Sequence, residues 1–441
     1  MQRASGSKFW FAMVCQFLFA LSARAEDWPQ WMGPSRDNRW QAPNTVVKFP
    51  SGGPKILWRS PVKIGYSGPA VVADRLYLTE FETDADVKVS NFDRKAFRGI
   101  ERIKCISSDN GQEIWSHEYP VEYSCSYPSG PRCTPIVDGN QVYVLGGEGN
   151  LISFDRNNGQ LNWQRDLKSD YKTTTPLWGF ASHPLIDGER LICLAGGPGS
   201  HVVALNKKTG QEIWRHGTAS EQGYSPALLV TAGGVRQLIV SSPDYVASLN
   251  PETGSEFWRQ EYGASNGAMI MTPVQSGNFL FVGGFSNRNL MLELDNSRPK
   301  ATQLFRDKPK LGMSPVNVQP FVEGDLMIGM DQSGELIAAE IPSGTRLWTS
   351  GQPLGERPVN NGTAFLVKNG EHFYMFTEQG ELVIAQVNRN GYQEVDRAKV
   401  IEPTNNAFGR PVVWSAPAFA NGRMYVRNDN ECVCVELTAG R

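Results

Sequence analysis

The sequence predicts an all-β protein, an eight-bladed β-propeller of four-stranded antiparallel blades. Three observations predict it: a short turn motif ending in tryptophan recurs, eight similar strand pairs follow one another, and 441 residues include 44 glycines and 12 tryptophans. Glycine marks turns and tryptophan supplies large packing area, so this composition favours many short strands. Hydrophobic residues make up 40% of the chain, which suffices for a large core and excludes wholesale disorder.

The turn motif is clearest at residues 209–214 and 253–258, Thr-Gly-Gln-Glu-Ile-Trp and Thr-Gly-Ser-Glu-Phe-Trp, which match position for position. The same frame recurs at residues 110–115, 158–163 and 343–348. We interpret each copy as a turn followed by the outer strand of a blade, with the tryptophan as a structural wedge between neighbouring blades. The predicted wedges are Trp58, Trp115, Trp163, Trp214, Trp258 and Trp348.

Each repeat unit opens on a strand pair, and in all but one unit a proline precedes the first strand. The opening residues are Pro69, Pro135, Pro184, Pro226, Pro273, Pro320, Thr363 and Pro417. Successive openings lie 42 to 66 residues apart, and the strand runs within them are short, β-branched or aromatic, and bounded by glycine. Units of about 40–50 residues with four such strands are typical of propeller blades.

The last unit stops after its third strand, near residue 437. Its missing tryptophan-bearing strand is available at residues 54–59, before the first opening strand. Pairing these segments would close the ring and remove the exposed sheet edges. We therefore predict one propeller over residues 53–441 rather than several domains.

The first 25 residues read as a signal peptide. Arg3 and Lys8 precede the apolar run of residues 9–21, and Ala23-Arg24-Ala25 offers small residues at a cleavage site. The alternative, a membrane anchor, needs about 20 apolar residues, and no later stretch is apolar enough to span. We therefore expect an exported protein, periplasmic or secreted, with a leader segment at residues 26–52 that packs against the ring.

Six cysteines remain once Cys15 leaves with the signal peptide. An oxidising compartment permits disulfides, and Cys125 and Cys133 are the candidate pair because both lie in one connection rich in proline, serine and tyrosine. Buried free thiols are the open alternative. The spacing of the cysteines lacks the paired CxxC of a zinc site, so we predict no metal.

Charge and motifs exclude several functions. The formal net charge is −2, which leaves no basic footprint for nucleic acid. The sequence contains no HExxH and no Walker loop. Its glycine-rich strings fall at predicted hairpins between strands.

A ligand would bind in the axial funnel, where the loops before the innermost strands converge. Arg132 would pair with an anion there, and His183 would exchange a proton near neutral pH. In the alternative interpretation both side chains satisfy backbone carbonyls around the channel. Two tryptophans outside the repeat lie close upstream of opening strands and would stack on a planar ligand. The candidate ligand-binding residues are Tyr66, Arg132, Trp178, His183, Gln319, Asn361 and Trp414.

From Trp58 to the C-terminus, the turn pattern resembles the tryptophan-docking repeat of the pyrroloquinoline-quinone-like propellers. This group includes quinoprotein alcohol dehydrogenases and the propeller scaffold of the outer-membrane barrel-assembly machine. The leader, residues 27–37, is similar to the Trp-Pro-x-x-x-Gly-Pro segment of exported bacterial members. Two blades depart from the pattern: Phe305 replaces the tryptophan of the fifth, and residues 393–395 end the seventh without one.

The resemblance implies two functions. The favoured one is a non-enzymatic, monomeric binding or assembly scaffold in the cell envelope, with a protein or polymer partner and no cofactor. The alternative is an alcohol or sugar dehydrogenase that binds pyrroloquinoline quinone with calcium in the funnel. Family dehydrogenases hold calcium with Glu, Asn and Asp, and many carry a disulfide between adjacent cysteines. This sequence has no adjacent cysteine pair and is shorter than the typical catalytic members.

Overall fold

The computed structural model describes residues 27–127, 130–264, 268–355 and 359–439; the predicted signal peptide lies outside them. These residues form eight four-stranded antiparallel sheets. In seven of the sheets the strands lie side by side in chain order, and the eighth combines three C-terminal strands with one N-terminal strand. The predicted eight-bladed propeller is therefore confirmed. Helix within the described residues is limited to Leu167–Tyr171 and a 3-10 turn at Gln352–Leu354, and neither is long or apolar enough to cross a membrane.

The blades are numbered in chain order, and their strands are given from the channel outward. Blade 1 is Ala70–Val72, Arg75–Glu82, Phe97–Ser107 and Glu113–Tyr123; blade 2 is Ile136–Asp138, Gln141–Leu145, Asn150–Asp155 and Leu161–Asp166; blade 3 is Leu185–Asp187, Arg190–Leu194, Val202–Asn206 and Glu212–His216; blade 4 is Leu228–Ala232, Val235–Ser241, Tyr245–Leu249 and Glu256–Glu261. Blade 5 is Val274–Ser276, Phe279–Gly284, Arg288–Leu294 and Ala301–Arg306; blade 6 is Phe321–Glu323, Leu326–Met330, Leu336–Glu340 and Arg346–Ser350; blade 7 is Ala364–Asn369, His372–Thr377, Glu381–Asn388 and Gly391–Lys399; blade 8 is Ala418–Ala420, Arg423–Arg427, Glu431–Glu436 and Ile56–Pro61.

The outer strand of blade 8 comes from the N-terminal part of the chain. Ile56–Pro61 pairs antiparallel with Glu431–Glu436, and Trp58 lies opposite Cys434. The predicted ring closure is thus confirmed. Because an N-terminal and a C-terminal segment share one sheet, blade 8 has four strands like the other blades.

Neighbouring blades dock through tryptophan and glycine. The indoles of Trp58, Trp115, Trp163 and Trp214 lie against Gly111, Gly159, Gly210 and Gly254 of the next blade, all four with φ of 71–72°. The Trp115 Nε1 also donates to the Arg156 carbonyl of blade 2 at 3.0 Å. A side chain at these glycines would collide with the indole, so the recurring pair of residue types follows from packing.

The repeat changes where the glycine is missing. Blade 5 has no glycine in its outer turn, and Trp258 of blade 4 donates instead to Gln237 within its own blade, at 2.9 Å. Phe305 of blade 5 keeps the docking position, since its ring lies against Gly344 of blade 6. Trp348 donates to the Asn388 carbonyl of blade 7 at 2.9 Å.

The leader segment crosses the axial channel. Trp28 exchanges two backbone hydrogen bonds of 2.8 Å with Val71 of blade 1, and the Trp40 amide donates to the Lys368 carbonyl of blade 7 at 2.8 Å. Both indoles contact Phe419 of blade 8, with ring centroids 5.9 and 5.1 Å apart. The leader therefore ties three innermost strands together and closes one end of the channel.

Two insertions rise at the other end. The two middle strands of blade 1 are joined by residues 83–96, and a hairpin, Asn405–Ala407 with Arg410–Val412, precedes blade 8. Val87 and Val89 of the first insertion pack on a small cluster around Phe81. These segments are named here the 83–96 insertion and the 405–412 hairpin.

A buried histidine makes stability depend on pH. His201 is fully buried; its Nε2 donates to the Gln222 carbonyl at 2.9 Å, while Nδ1 accepts from the Tyr245 hydroxyl at 2.7 Å. Burial holds the pKa of His201 at about 4 instead of 6.5, so folding favours the neutral ring. Its contribution is complete above pH 6.5 and falls by about 1.4 kcal/mol per pH unit from there towards pH 4.

Denaturant unfolding at half-unit pH steps measures this contribution. The difference between the wild type and His201→Phe is expected to shrink as the pH falls from 6.5 to 4. Parallel stability curves for the two proteins over that interval would show that His201 is not held neutral.

Candidate functional site

A cavity of about 330 Å³ occupies the axial funnel, between the leader and the two insertions. It forms there because the loops that enter the innermost strands converge on the axis, and most of these loops place an aromatic residue towards it. The aromatic residues in its wall are Trp31, Tyr66, Phe92, Tyr127, Trp178, Tyr224, Phe285, Phe365, Phe408 and Trp414. The site is thus an apolar chamber with few polar groups.

The structure brings most of the predicted site residues together. Those in the cavity wall are Tyr66, Arg132, Trp178, His183, Asn361 and Trp414. They come from five loops around the ring, with Trp178 and His183 in the same loop, and they meet because each loop precedes an innermost strand. This is the arrangement expected of residues placed by blade register.

Gln319 does not line the cavity, contrary to the prediction from the sequence. Its side chain is buried, accepts from the Thr272 amide at 3.0 Å and donates to the Thr272 carbonyl at 2.8 Å. Ser225 donates in the same way to the Met271 carbonyl at 2.9 Å. These two polar side chains thus form hydrogen bonds with the backbone that leads into the neighbouring blade and do not point into the cavity.

Arg132 is occupied by its own loop. The guanidinium donates to the carbonyls of Ser126, Tyr127 and Gly130 at 3.0, 2.6 and 3.1 Å, and it lies over the Tyr66 ring at 5.0 Å. The geometry matches the alternative in which Arg132 satisfies backbone carbonyls. Its effect on the site is to hold Tyr127 in place.

His183 is a flat wall element. Its ring stacks on Trp31 of the leader, with centroids 4.6 Å apart and 15° between the planes. Burial, and next the charge of Arg36, lower the pKa of His183 to about 3. The imidazole is therefore neutral at pH 7. It does not exchange a proton near neutral pH, contrary to the prediction from the sequence.

The two tryptophans outside the repeat stand on separate sides of the chamber. Trp178 donates from Nε1 to Asn91 of the 83–96 insertion at 3.3 Å, and Phe92 lies beside it with centroids 5.8 Å apart. Trp414 donates to Glu378 at 3.1 Å, and Phe408 of the 405–412 hairpin lies beside it at 6.3 Å. Each insertion thus adds a phenylalanine next to a tryptophan.

Trp31, Phe92, Tyr127 and Phe408 also line the cavity, although no sequence pattern predicts them there. Trp31 belongs to the leader, and the two phenylalanines belong to insertions that have no counterpart in the other blades, so no repeat frame marks them. An aromatic residue within an otherwise polar, exposed insertion is the signal that would have found Phe92 and Phe408. Both are about half exposed, at 50% and 48%.

The cysteines stay reduced in the structure. Cys125 and Cys133 are buried and free, so the disulfide offered by the sequence is not formed. The Cys133 sulfur lies 3.8 Å from the Phe180 carbonyl, and burial raises the pKa of both thiols. No group of three or more histidine, cysteine, aspartate or glutamate residues suited to a metal ion occurs in the described part of the chain.

Comparison with known proteins identifies relatives. A family model described as outer membrane protein assembly factor BamB (PQQ_2) matches residues 100–310 and 243–441. The curated protein of that name from Salmonella typhimurium is 26% identical over 122 residues, which are 26% of this chain and 26% of that protein. The match therefore spans about a quarter of that relative's length.

Solved structures share the fold. BamB from Moraxella catarrhalis superposes with a TM-score of 0.55 and 16% identity, covering 86% of this chain and 98% of that one. The quinohemoprotein alcohol dehydrogenase ADHIIG from Pseudomonas putida HK5 superposes with a TM-score of 0.59 and 11% identity, covering 95% of this chain and 81% of that one. At these identities the likeness concerns the fold alone.

Proposed function

The chain belongs to the family of outer membrane protein assembly factor BamB, and we propose that it is an exported, non-enzymatic scaffold for outer-membrane protein assembly. The observation that carries this proposal is the extent of the family match, which covers residues 100–441 and so seven of the eight blades almost completely. The closed ring suits a scaffold, because docked blades hold many loops in fixed relative positions.

The funnel supports the same conclusion through what its polar groups already bind. Arg132 donates to three carbonyls, and His183 is stacked and neutral. The Glu378 carboxylate behind Trp414 accepts from Arg410 at 2.6 Å and from the Thr363 amide at 3.1 Å. A general acid or base needs a free position within reach of a substrate, and these groups are engaged elsewhere.

Pyrroloquinoline quinone does not fit these residues. It is a planar tricarboxylate, so a site for it must supply several cationic or hydrogen-bond-donating groups. Among the described residues of the cavity wall, Arg132 carries the permanent charge, and three of its N–H groups already donate to carbonyls of its own loop. We therefore assign no catalytic step to this group.

The partner would bind the face on which the cavity opens. Strands of a blade alternate in direction, so loops that join the two middle strands and loops that enter a blade lie at the same end of the ring. The 83–96 insertion is a loop of the first kind and the 405–412 hairpin is one of the second, and both contribute residues to the cavity wall. We name this end the funnel face.

Deletion of the gene from the host bacterium tests the proposal. We expect less folded outer-membrane β-barrel protein, measured as the heat-modifiable band in unheated gel samples, and restoration by the intact gene. Surface charges on the 83–96 insertion should matter for restoration, since charged rims guide partner association. The variant replaces Asp86, Lys88 and Asp93 with alanine, all three of which are exposed.

A matched variant controls for general effects of charge removal. It replaces Asp109, Lys208 and Glu252, which are exposed on turns at the opposite end of the ring, with alanine. Exposed ion pairs contribute about 0–1 kcal/mol, so both triple variants should fold. Unchanged folded β-barrel protein in the deletion strain would overturn the scaffold function, and equal restoration by both variants would overturn the choice of face.

A further inference from the structure

The axial cavity has the size and lining of a ligand-binding site. We propose that it binds an uncharged, planar aromatic group that carries a hydrogen-bond donor. The inference goes beyond the scaffold function and does not rest on it, because it uses only the wall of the cavity.

The walls supply surfaces for stacking. Trp178 contacts Tyr224 with ring centroids 5.3 Å apart, and Trp414 contacts Tyr127 at 6.4 Å, so each side of the chamber is a pair of tilted rings. Offset and edge-to-face arrangements of this kind favour a further ring placed between them. The volume of about 330 Å³ lies within the range of about 300–1,000 Å³ typical of small-molecule sites.

Three aromatic residues of the same wall have a strained backbone. Phe92, Tyr127 and Phe408 have φ values of 74°, 48° and 50°, in the left-handed region that bulky side chains disfavour. Phe92 and Phe408 are also half exposed, so in the free protein they gain little burial in exchange for that strain. Strained residues of this kind cluster at ligand clamps, and a bound ring would bury both phenylalanines.

One polar atom of the wall lacks a partner. Asn361 is only 9% exposed, and its Oδ1 is buried without a hydrogen bond. Its φ of 56° is left-handed as well. A buried carbonyl oxygen without a donor is costly, so the ligand that completes this site brings an N–H or O–H group to Asn361.

The wall also sets the charge of the ligand. No carboxylate belongs to the described part of the wall, and its one permanent cation, Arg132, is satisfied by three carbonyls. His183 is neutral. A buried cation would meet no carboxylate in the described wall, and a buried anion would meet only a guanidinium that already donates to three carbonyls, so the preferred ligand is uncharged.

Titration of the purified full-length protein with 2-naphthol tests the site. This probe is planar and uncharged at pH 7 and has one O–H donor; binding is followed by calorimetry and by quenching of tryptophan fluorescence. We expect saturable one-to-one binding. We expect two related compounds each to bind at least about tenfold more weakly: 2-methoxynaphthalene, which lacks the donor, and 2-naphthoate, which is charged.

The ring can come from a small molecule or from a tryptophan side chain of a partner. A heptapeptide with a central tryptophan between glycine and serine residues distinguishes them: binding of 2-naphthol alone identifies a small-molecule site, and binding of both identifies a site open to a side chain. Either outcome supports the assignment. The absence of binding by both at millimolar concentration, or equal binding of 2-naphthol and 2-naphthoate, would overturn it.

Phe408→Gly separates ligand binding from folding. It removes a clamp residue and relieves the left-handed strain, so we expect about tenfold weaker binding together with an unchanged or raised melting temperature. Ala73→Gly is the matched control, because Ala73 is exposed, has φ of 54° and lies outside the cavity wall. It should affect the melting temperature in the same direction and leave 2-naphthol binding unchanged. Unaltered 2-naphthol binding in Phe408→Gly would contradict a contact between Phe408 and the bound ring.

Discussion

Replacement of Trp40 by alanine is expected to lower the free energy of unfolding by about 3–5 kcal/mol, as for other fully buried tryptophans. The indole is 1% exposed and packs edge-on against Tyr374, with centroids 5.5 Å apart, and against Phe419 at 5.1 Å. Removing it leaves a cavity where the leader meets blades 7 and 8. Denaturant unfolding followed by circular dichroism measures the loss.

Trp348→Ala is the matched control for that variant. This indole lies on an outer strand, is partly exposed and makes one hydrogen bond, to the Asn388 carbonyl at 2.9 Å. Its loss should cost about 1–2 kcal/mol. Equal losses for the two variants would mean that the leader contributes no more to the fold than one outer wedge does.

Gly254→Ala is expected to lower the free energy of unfolding by roughly 2–5 kcal/mol, although it adds one methyl group. Gly254 has φ of 72°, and an added Cβ would lie 2.6 Å from the Trp214 ring. Left-handed backbone costs an alanine about 1–2 kcal/mol, and overpacking adds about 1–3 kcal/mol. Trp214 would have to move, which loosens the joint between blades 3 and 4.

Gly277→Ala is the matched control, because it carries the backbone cost without the overpacking. Gly277 is also left-handed, with φ of 53°, but a Cβ there would meet no atom within 4 Å. This variant should lose only the backbone cost of about 1–2 kcal/mol. The difference between the two variants, measured by denaturant unfolding, is the penalty of pushing the blades apart; no difference would mean that the indole does not pack on the glycine.

The fold could be predicted because its packing repeats. The turn motif places a glycine and a tryptophan close together in sequence and recurs with the blade, so the tryptophan of one blade meets the glycine of the next, as Trp115 meets Gly159 and Trp163 meets Gly210. The docking contact differs where the next blade lacks the glycine turn. Trp258 has the right motif, but its neighbour has no glycine turn, and the indole binds Gln237 instead.

The site could be predicted only where blade register determines it. Residues such as Tyr66 and Asn361 reach the axis because they precede innermost strands, but the same rule wrongly included Gln319, whose amide binds Thr272. Trp31 and Phe408 come from the leader and a hairpin that belong to no repeat. Their positions follow from long-range packing, which leaves no periodic signal in the sequence.

Photo-crosslinking in living host cells tests the proposed scaffold function most directly. p-Benzoylphenylalanine would replace Asp86 on the 83–96 insertion or, as a control, Asn296 on an exposed turn at the opposite end of the ring. We expect a light-dependent adduct between the Asp86 position and an outer-membrane β-barrel protein or one of its assembly proteins, and none from the Asn296 position. No adduct from the Asp86 position, or equal adducts from both, would contradict a scaffold that works through its funnel face.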